Sequence, residues 1–220
     1  MKNPFNKGAL VASLCLVTAN VWADGHEVVK FNVPDVPRAE FLKMHNDSFK
    51  TKGIAKKEWL EQADFNEICS SDKTPSKATL KKIEADQMKT IKYPADGNYF
   101  GDWKKGEKIA QSGRALTWSD PSLTKPRGRK ENGGGCYNCH QLSHKELSYG
   151  TIGTSLRDYG KIRGKSDEIV KYTWGKIYNA KATNACSNMP RNGDADILTE
   201  EQIKHLMALL FDPESPVNKK

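Results

Sequence analysis

Five consecutive residues constrain this chain more than any other feature: Cys136, Tyr137, Asn138, Cys139 and His140. Two thiols separated by two residues, with a histidine directly after the second, form the attachment motif of c-type haem. The spacing suits that chemistry because both thiols must reach the vinyl edges of one haem while the adjacent imidazole faces its iron. The motif occurs once, so the sequence predicts one covalently bound haem c, attached to Cys136 and Cys139, with His140 as an iron ligand.

Two other kinds of site use the same cysteine pair. A redox-active dithiol needs the cysteine spacing but no neighbouring histidine. A zinc site needs a second pair of ligands at a suitable spacing, and the sequence offers none. Both remain alternatives, whereas haem attachment is the interpretation that uses all three residues.

The far face of the iron needs a ligand from a separate stretch of chain, and several side chains are poorly suited to it. We expect His144 to lie one helical turn beyond His140, on the same side of the haem. The remaining candidates have helical spacing, which predicts packing or a place on a helix: Met44 and Met88 in the N-terminal region, His205 and Met207 near the C-terminus.

Met189 lies instead in a segment with Pro190 and Gly193, where no helix competes for its side chain. A thioether ligand favours the reduced iron and so raises the reduction potential. We therefore expect His140 and Met189 to be the metal ligands; a loop methionine without a ligand role is the alternative.

The first 23 residues have the pattern of a secretory signal. Lys2 and Lys7 precede an apolar run at residues 9–17, and Val21 and Ala23 supply the small residues of a cleavage site. The apolar run is shorter than the roughly 20 residues of a membrane-spanning helix. We expect cleavage before Asp24, a periplasmic location and no membrane association afterwards. A lipid anchor on Cys15 is disfavoured because the bulky Leu14 precedes it.

Cysteine parity predicts one disulfide. Removal of the leader discards Cys15, and haem attachment uses two of the other four cysteines, leaving Cys69 and Cys186. An even remainder in an oxidising compartment favours pairing. Two free buried thiols are the alternative.

Charge narrows the range of partners only modestly. The formal charge is +8, and +6 once Lys2 and Lys7 leave with the signal. No dense basic tract or nucleic-acid motif is present, so no nucleic-acid partner is expected. A mild basic excess favours acidic protein surfaces or anions.

Helical signals recur along the mature chain, and no strand-like alternation does, so we expect an all-α fold. Helices are predicted after Pro37, over residues 56–68, after Ser76, over residues 102–110, after Ser166 and after Thr199, where a capping box precedes an apolar stripe. Residues 119–135 and 150–164 are expected to form loops. The expected organisation is a signal at 1–23, a helical extension at 24–98 and a class I cytochrome c domain at 99–220.

Several segments of residues 69–212 resemble SoxX, the single-haem subunit of the SoxAX complex of bacterial sulfur oxidation. They are Gly101–Arg114, Gly134–Gln141, Gly150–Gly153, Tyr159–Lys161 and Cys186–Arg191. The resemblance implies a class I cytochrome c fold with His140 and Met189 as the axial pair. The segment before Cys69 carries no resemblance.

The resemblance also implies an activity. In that family SoxAX is an L-cysteine S-thiosulfotransferase, which oxidatively couples thiosulfate to a cysteine of the carrier SoxYZ. The sulfur chemistry belongs to the partner SoxA, so this chain is expected to supply no catalytic residue, only an electron-accepting haem. SoxA would form a heterodimer with it, whereas SoxYZ and a downstream cytochrome c would be transient partners.

One position departs from the family pattern. Class I cytochromes usually have Gly-Pro-Ser-Leu after the haem motif, and here Thr154 stands in place of the proline. The carbonyl of that proline accepts the hydrogen bond that orients the proximal histidine. Thr154 also has a carbonyl, so we expect the bond to persist on a less rigid backbone.

Two alternative functions remain open at the level of sequence. A free-standing electron carrier has the same haem motif, but the long extension favours a subunit. A haem sensor requires an open iron site, and therefore that Met189 is not a ligand.

Overall fold

The computed structural model describes residues 36–114, 119–120 and 133–219. In these residues the chain forms seven α-helices and no β-strand, which confirms the all-α expectation. The helices are α1 (Arg38–Ser48), α2 (Asp64–Ser70), α3 (Lys77–Met88), α4 (Trp103–Gln111), α5 (Tyr159–Arg163), α6 (Asp167–Tyr178) and α7 (Glu200–Phe211). Short 3₁₀ turns occupy Lys57–Leu60, Cys136–Asn138 and Ala180–Ala182. The predicted signal lies outside the described residues.

The chain divides into two compact units after Met44. Of the first unit, residues 36–44 are described, and they form the start of α1. The second unit runs from His45 to Lys220 and therefore includes residues 45–98, most of the segment that the sequence predicts as a helical extension. Packing within this unit makes α2 and α3 part of the body that carries the haem motif.

Three helices begin at the predicted caps Ser76, Ser166 and Thr199, and a fourth begins after Asp102, for which no cap was predicted. The side chains of Ser76, Asp102 and Ser166 each accept a hydrogen bond from a backbone N–H of the first turn, and Thr199 forms a full capping box with Gln202. These caps satisfy backbone donors that have no partner within the helix. Short polar residues before apolar periodicity were therefore reliable signals in this chain.

Three expectations were wrong. The helix predicted over residues 56–68 is instead a 3₁₀ turn followed by α2, and the segment predicted as a loop over 150–164 contains α5. Met44 and Met88 do not pack as expected, because 49% and 45% of their surfaces are exposed. The spacing of apolar residues did not locate the ends of these short helices, and it did not show which side of a helix the rest of the protein would bury.

The core is built on a close crossing of α4 and α7. A Cβ on Gly106 would lie 2.1 Å from the carbonyl oxygen of His205, so only glycine permits this approach. The same crossing is tied by a hydrogen bond in which the backbone N–H of Asp102 donates to His205 Nδ1 over 2.9 Å.

Every residue of helix α7 from Ile203 to Phe211 is buried, and not only those of its apolar stripe. Even Lys204 is covered, with its ammonium 3.1 Å from Asp96 Oδ2 and 3.0 Å from Glu200 Oε1. Helix α6 contributes the fully buried Trp174, whose indole N–H donates to the carbonyl of Lys92 over 2.8 Å. The core therefore joins the C-terminal helices to the segment between α3 and α4.

Gly106→Ala should lower the free energy of unfolding by about 1–3 kcal/mol, the usual cost of overpacking. Alanine has the better helix propensity by about 1 kcal/mol, but a backbone carbonyl 2.1 Å from the new Cβ can recede only if α7 shifts. Urea denaturation measures the change. Lys105→Ala, at an exposed position of the same helix, is the control and should be neutral. Equal stabilities of the two variants would contradict the tight crossing.

Candidate haem site

The cysteine motif forms one tight turn. The carbonyl of Cys136 accepts hydrogen bonds from the backbone N–H groups of Cys139 and His140, over 3.1 and 2.9 Å. The turn is fastened to the end of α4, since Gly134 N–H donates to Ile109 O and Gly135 N–H donates to Ser112 O, both over 3.0 Å. The three motif residues are thus held in a compact, fixed backbone.

The two motif cysteines are free thiols, not a disulfide, and both are partly buried. Cys136 packs against the hydrophobic core, and burial raises the pKa of its thiol to about 12. A redox-active dithiol needs a thiol with a lowered pKa, because the thiolate is the reactive form. The environment of Cys136 therefore argues against the redox alternative.

His140 is oriented by the loop that follows the motif. Its Nδ1 lies 2.6 Å from the carbonyl oxygen of Thr154, the hydrogen bond expected at the position where the family pattern has proline. A carbonyl can only accept, so Nδ1 carries the proton, and Nε2 keeps the lone pair that a metal binds. A hydrogen bond at the second nitrogen is the usual way to fix the orientation of a ligating imidazole.

The same loop packs directly on the imidazole. A Cβ on Gly153 would lie 2.2 Å from His140 Cε1, so the absence of a side chain allows the backbone to cover the ring. Backbone hydrogen bonds hold the loop in place: Gly150 N–H donates to Tyr137 O over 2.9 Å, and Gly153 N–H donates to Cys139 O over 2.8 Å. Motif and loop therefore form one backbone-bonded unit.

Met189 lies in a non-helical segment, as predicted, and is partly buried against the same hydrophobic core as Cys136. Its segment returns to the motif through Leu198. Leu198 N–H donates to Asn192 O over 2.8 Å, and a Cβ on Gly134 would lie 3.4 Å from Leu198 Cδ1 and 3.3 Å from Cys136 Sγ. Leu198, at the end of residues 186–198, which we call the methionine segment, thus lies close to the first motif cysteine.

The other candidate ligands have different environments. His144 is not one helical turn beyond His140, because the 3₁₀ turn ends at Asn138; its Nε2 lies 2.7 Å from Asp158 Oδ2. That contact lowers the pKa of the Asp158 carboxyl, with Lys161 adding to the effect. His205 belongs to the α4–α7 crossing, and Met207 is fully buried in the core, as predicted.

The structure joins Cys69 to Cys186 in a disulfide, with the Cα atoms 5.4 Å apart. This is the pair that cysteine parity predicts. It links α2 to the chain three residues before Met189. Within the described residues no cluster of three or more histidine, cysteine, aspartate or glutamate side chains has the arrangement of a metal site.

Sequence reasoning missed the buried Lys181, whose ammonium donates to the carbonyl oxygens of Ala185 and Ser187. It also missed Phe65, whose ring lies beside Lys181 and Arg191. No signal in the sequence identifies these contacts, since a lysine and a phenylalanine 116 positions apart have no spacing relation.

No family model matches the chain. A protein of Aquifex aeolicus (strain VF5), described as an uncharacterized lipoprotein, is 42% identical over 130 residues, which are 59% of this chain and 59% of the relative. The chain therefore matches about three fifths of the length of that relative. No helix among the described residues is long and apolar enough to cross a membrane.

Replacing both Cys69 and Cys186 by alanine should lower the free energy of unfolding by about 2–5 kcal/mol. The reason is that the disulfide closes a loop with a sequence separation of 117, which restricts the unfolded chain. Urea denaturation of the variant measures the loss, and the wild-type protein under reducing conditions should match it. A non-reducing peptide map in which both cysteines are alkylated without prior reduction would contradict the pairing.

Proposed function

We propose that this chain is an exported, single-haem c-type cytochrome of class I. The observation that carries the proposal is the environment of His140, whose Nδ1 donates to the Thr154 carbonyl while two unpaired thiols precede it in the same turn. A structural histidine has no need of two neighbouring free cysteines. A haem c site needs all three groups.

The residues of this site fit a covalently bound haem. Cys136 and Cys139 would hold the macrocycle, and His140 Nε2 would bind the iron, because Nδ1 is already engaged. Gly153 leaves space for the imidazole beside the backbone. Bound haem would supply reversible one-electron chemistry.

Met189 is the sixth ligand that we propose. Its partial burial and non-helical backbone distinguish it from Met207 in the core and from the surface methionines Met44 and Met88. A thioether on the far face favours the reduced iron and raises the reduction potential. Residues of this chain would then take both axial positions, which leaves no open iron position for substrate.

We further propose that the chain is the electron-accepting subunit of a SoxAX-type L-cysteine S-thiosulfotransferase. Joining thiosulfate to a carrier cysteine forms a sulfur–sulfur bond, releases the thiol proton and yields two electrons that must leave. With both axial positions and all cysteines of the mature chain assigned, this chain retains no group to bind the sulfur. SoxA would supply that chemistry, SoxYZ the cysteine, and a downstream cytochrome c would remove the electrons.

An exposed apolar segment beside the motif favours a subunit over a free carrier. Leu147 is fully exposed, Ile152 is 79% exposed and Tyr149 is also exposed. The hydrogen bonds of Gly150 and Gly153 hold this segment against the motif. Several exposed apolar side chains on one short segment with a fixed backbone are typical of a region that a protein partner covers.

The proposed location is the periplasm, after removal of residues 1–23. The N-terminal pattern supports export, and the lipoprotein description of the Aquifex aeolicus relative supports a place outside the cytoplasm. The lipid of a lipoprotein would require Cys15, which precedes the expected cleavage site.

The intact mass of the exported protein should equal that of residues 24–220 plus one haem, less the hydrogens of a disulfide. Covalent thioether bonds keep haem on a denatured chain, so haem staining after denaturing electrophoresis should follow the protein. Cys136→Ser with Cys139→Ser should abolish the stain. Haem extracted from the wild type by acid acetone would contradict attachment, and an acylated Cys15 would contradict the cleavage site.

Met189→Ala should abolish the weak red absorption band of the oxidised protein, since that band arises from a thioether–ferric bond. The same variant should lower the reduction potential, because the ligand that favours ferrous iron is lost. Met88→Ala is the matched control at an exposed position and should leave the spectrum unchanged. The reverse pattern would show that Met88 is the ligand.

Conjugation of thiosulfate to the carrier cysteine should require SoxA in addition to this chain. The oxidised chain, mixed with thiosulfate and SoxYZ, should stay oxidised, whereas addition of SoxA should reduce its haem and conjugate thiosulfate to the carrier cysteine. Haem reduction is followed by visible absorption and conjugation by the mass of SoxYZ. Rapid reduction and conjugation without SoxA would place the sulfur chemistry on this chain and contradict the proposal.

A further inference from the structure

Lys181 is buried next to the methionine segment. Only 7% of its surface is exposed, and its ammonium donates to the carbonyl oxygens of Ala185 and Ser187, over 3.3 and 3.2 Å. These carbonyls lie on either side of Cys186. A buried ammonium is unfavourable unless it is paired or hydrogen-bonded, so the charge strongly favours the backbone conformation that presents both oxygens.

The contacts of Lys181 continue to Met189. The backbone N–H of Met189 donates to Ser187 Oγ over 3.2 Å, so the residue whose carbonyl binds the ammonium also binds the methionine backbone. On the opposite side, Ala185 N–H donates to Glu84 Oε1 of α3 over 3.2 Å. The two residues that flank Cys186 are thus both tied to surrounding side chains.

Helix α2 adds a second anchor. The ring centroid of Phe65 lies 5.1 Å from Lys181 Nζ and 5.0 Å from the guanidinium of Arg191, which are positively charged groups before and after Met189. Cys69, four residues after Phe65 and so on the same face of α2, forms the disulfide to Cys186. One face of this helix therefore contacts the methionine segment on both sides of the proposed ligand.

We propose that Phe65, Cys69 and Lys181, named here the α2 clamp, are positioning residues that hold Met189 on the iron. This inference rests on the proposed function and adds a role for α2, a part of the chain that carries no motif. Ordering a loop residue costs backbone conformational entropy. A segment that the clamp already orders avoids most of this cost when its methionine binds. Loss of the clamp should therefore weaken the iron–sulfur bond more than it weakens the fold.

The test compares two lysine variants of the haem-loaded protein. Lys181→Met should raise the affinity of the ferric protein for imidazole, which displaces the methionine, by about tenfold or more, because it removes two charge-assisted hydrogen bonds. Its reduction potential should fall. Lys204→Met is the matched control: Lys204 is 8% exposed and its ammonium pairs with Asp96 and Glu200, outside the methionine segment. It should lose stability while keeping the imidazole affinity and potential of the wild type.

A second pair of variants keeps the test decisive if Lys181→Met does not fold. Phe65→Leu retains apolar packing but removes the ring beside Lys181 and Arg191, and should raise imidazole affinity severalfold. Phe100→Leu removes a ring that lies 3.9 Å from Lys165 Nζ and should not. Equal imidazole affinities and potentials within each pair would overturn the α2 clamp.

The wild-type protein and its Met189→Ala variant distinguish a failure of the proposed ligation from a failure of the positioning role. Absence of covalent haem, or a Met189→Ala variant with an unchanged red band, would overturn the proposed ligation itself. Covalent haem with a Met189-dependent band, together with clamp variants that behave like their controls, would overturn only the positioning role.

Discussion

The close contact between Gly106 and the His205 carbonyl is the constraint on which the rest of the structure depends. It sets the distance between α4 and α7, and α7 is the most completely buried helix among the described residues. The end of α4 then determines where the cysteine motif begins, because Ile109 and Ser112 accept the backbone hydrogen bonds of Gly134 and Gly135. A backbone contact in the core thus locates the proposed haem site.

The residues of the proposed site lie in turns and loops. Backbone hydrogen bonds between these segments, and not helices, hold them in place. The motif, the Thr154 loop and the methionine segment each have backbone hydrogen bonds to neighbouring segments, so their side chains start from fixed positions. This arrangement suits an electron-transfer centre, where ligands must stay in place as the iron changes its oxidation state. The Thr154 carbonyl shows that the orienting bond depends on backbone position and not on a proline side chain.

Residues 45–98 contribute more contacts than the disulfide that cysteine parity predicts. They pack within the same compact unit as the motif, and α2 reaches the methionine segment through Phe65 and the Cys69 disulfide. In the proposed cytochrome, this N-terminal segment would hold the loop that carries Met189. It leaves the apolar surface around Leu147 and Ile152 available for a partner.

The sequence by itself determined the features that depend on short spacing. These are the spacing of Cys136, Cys139 and His140, the helix caps at Ser76, Ser166 and Thr199, and, by parity, the Cys69–Cys186 pair. Caps and attachment motifs are predictable because the interacting groups lie within a few residues of each other. The tertiary structure alone decided that Met88 is exposed and that α7 is covered on all sides. It alone also decided that Lys181 is buried against Phe65. Each of these features depends on contacts between residues that are far apart in the chain. The free energy of such contacts depends on which surfaces meet in the fold, and a local sequence pattern does not contain that information.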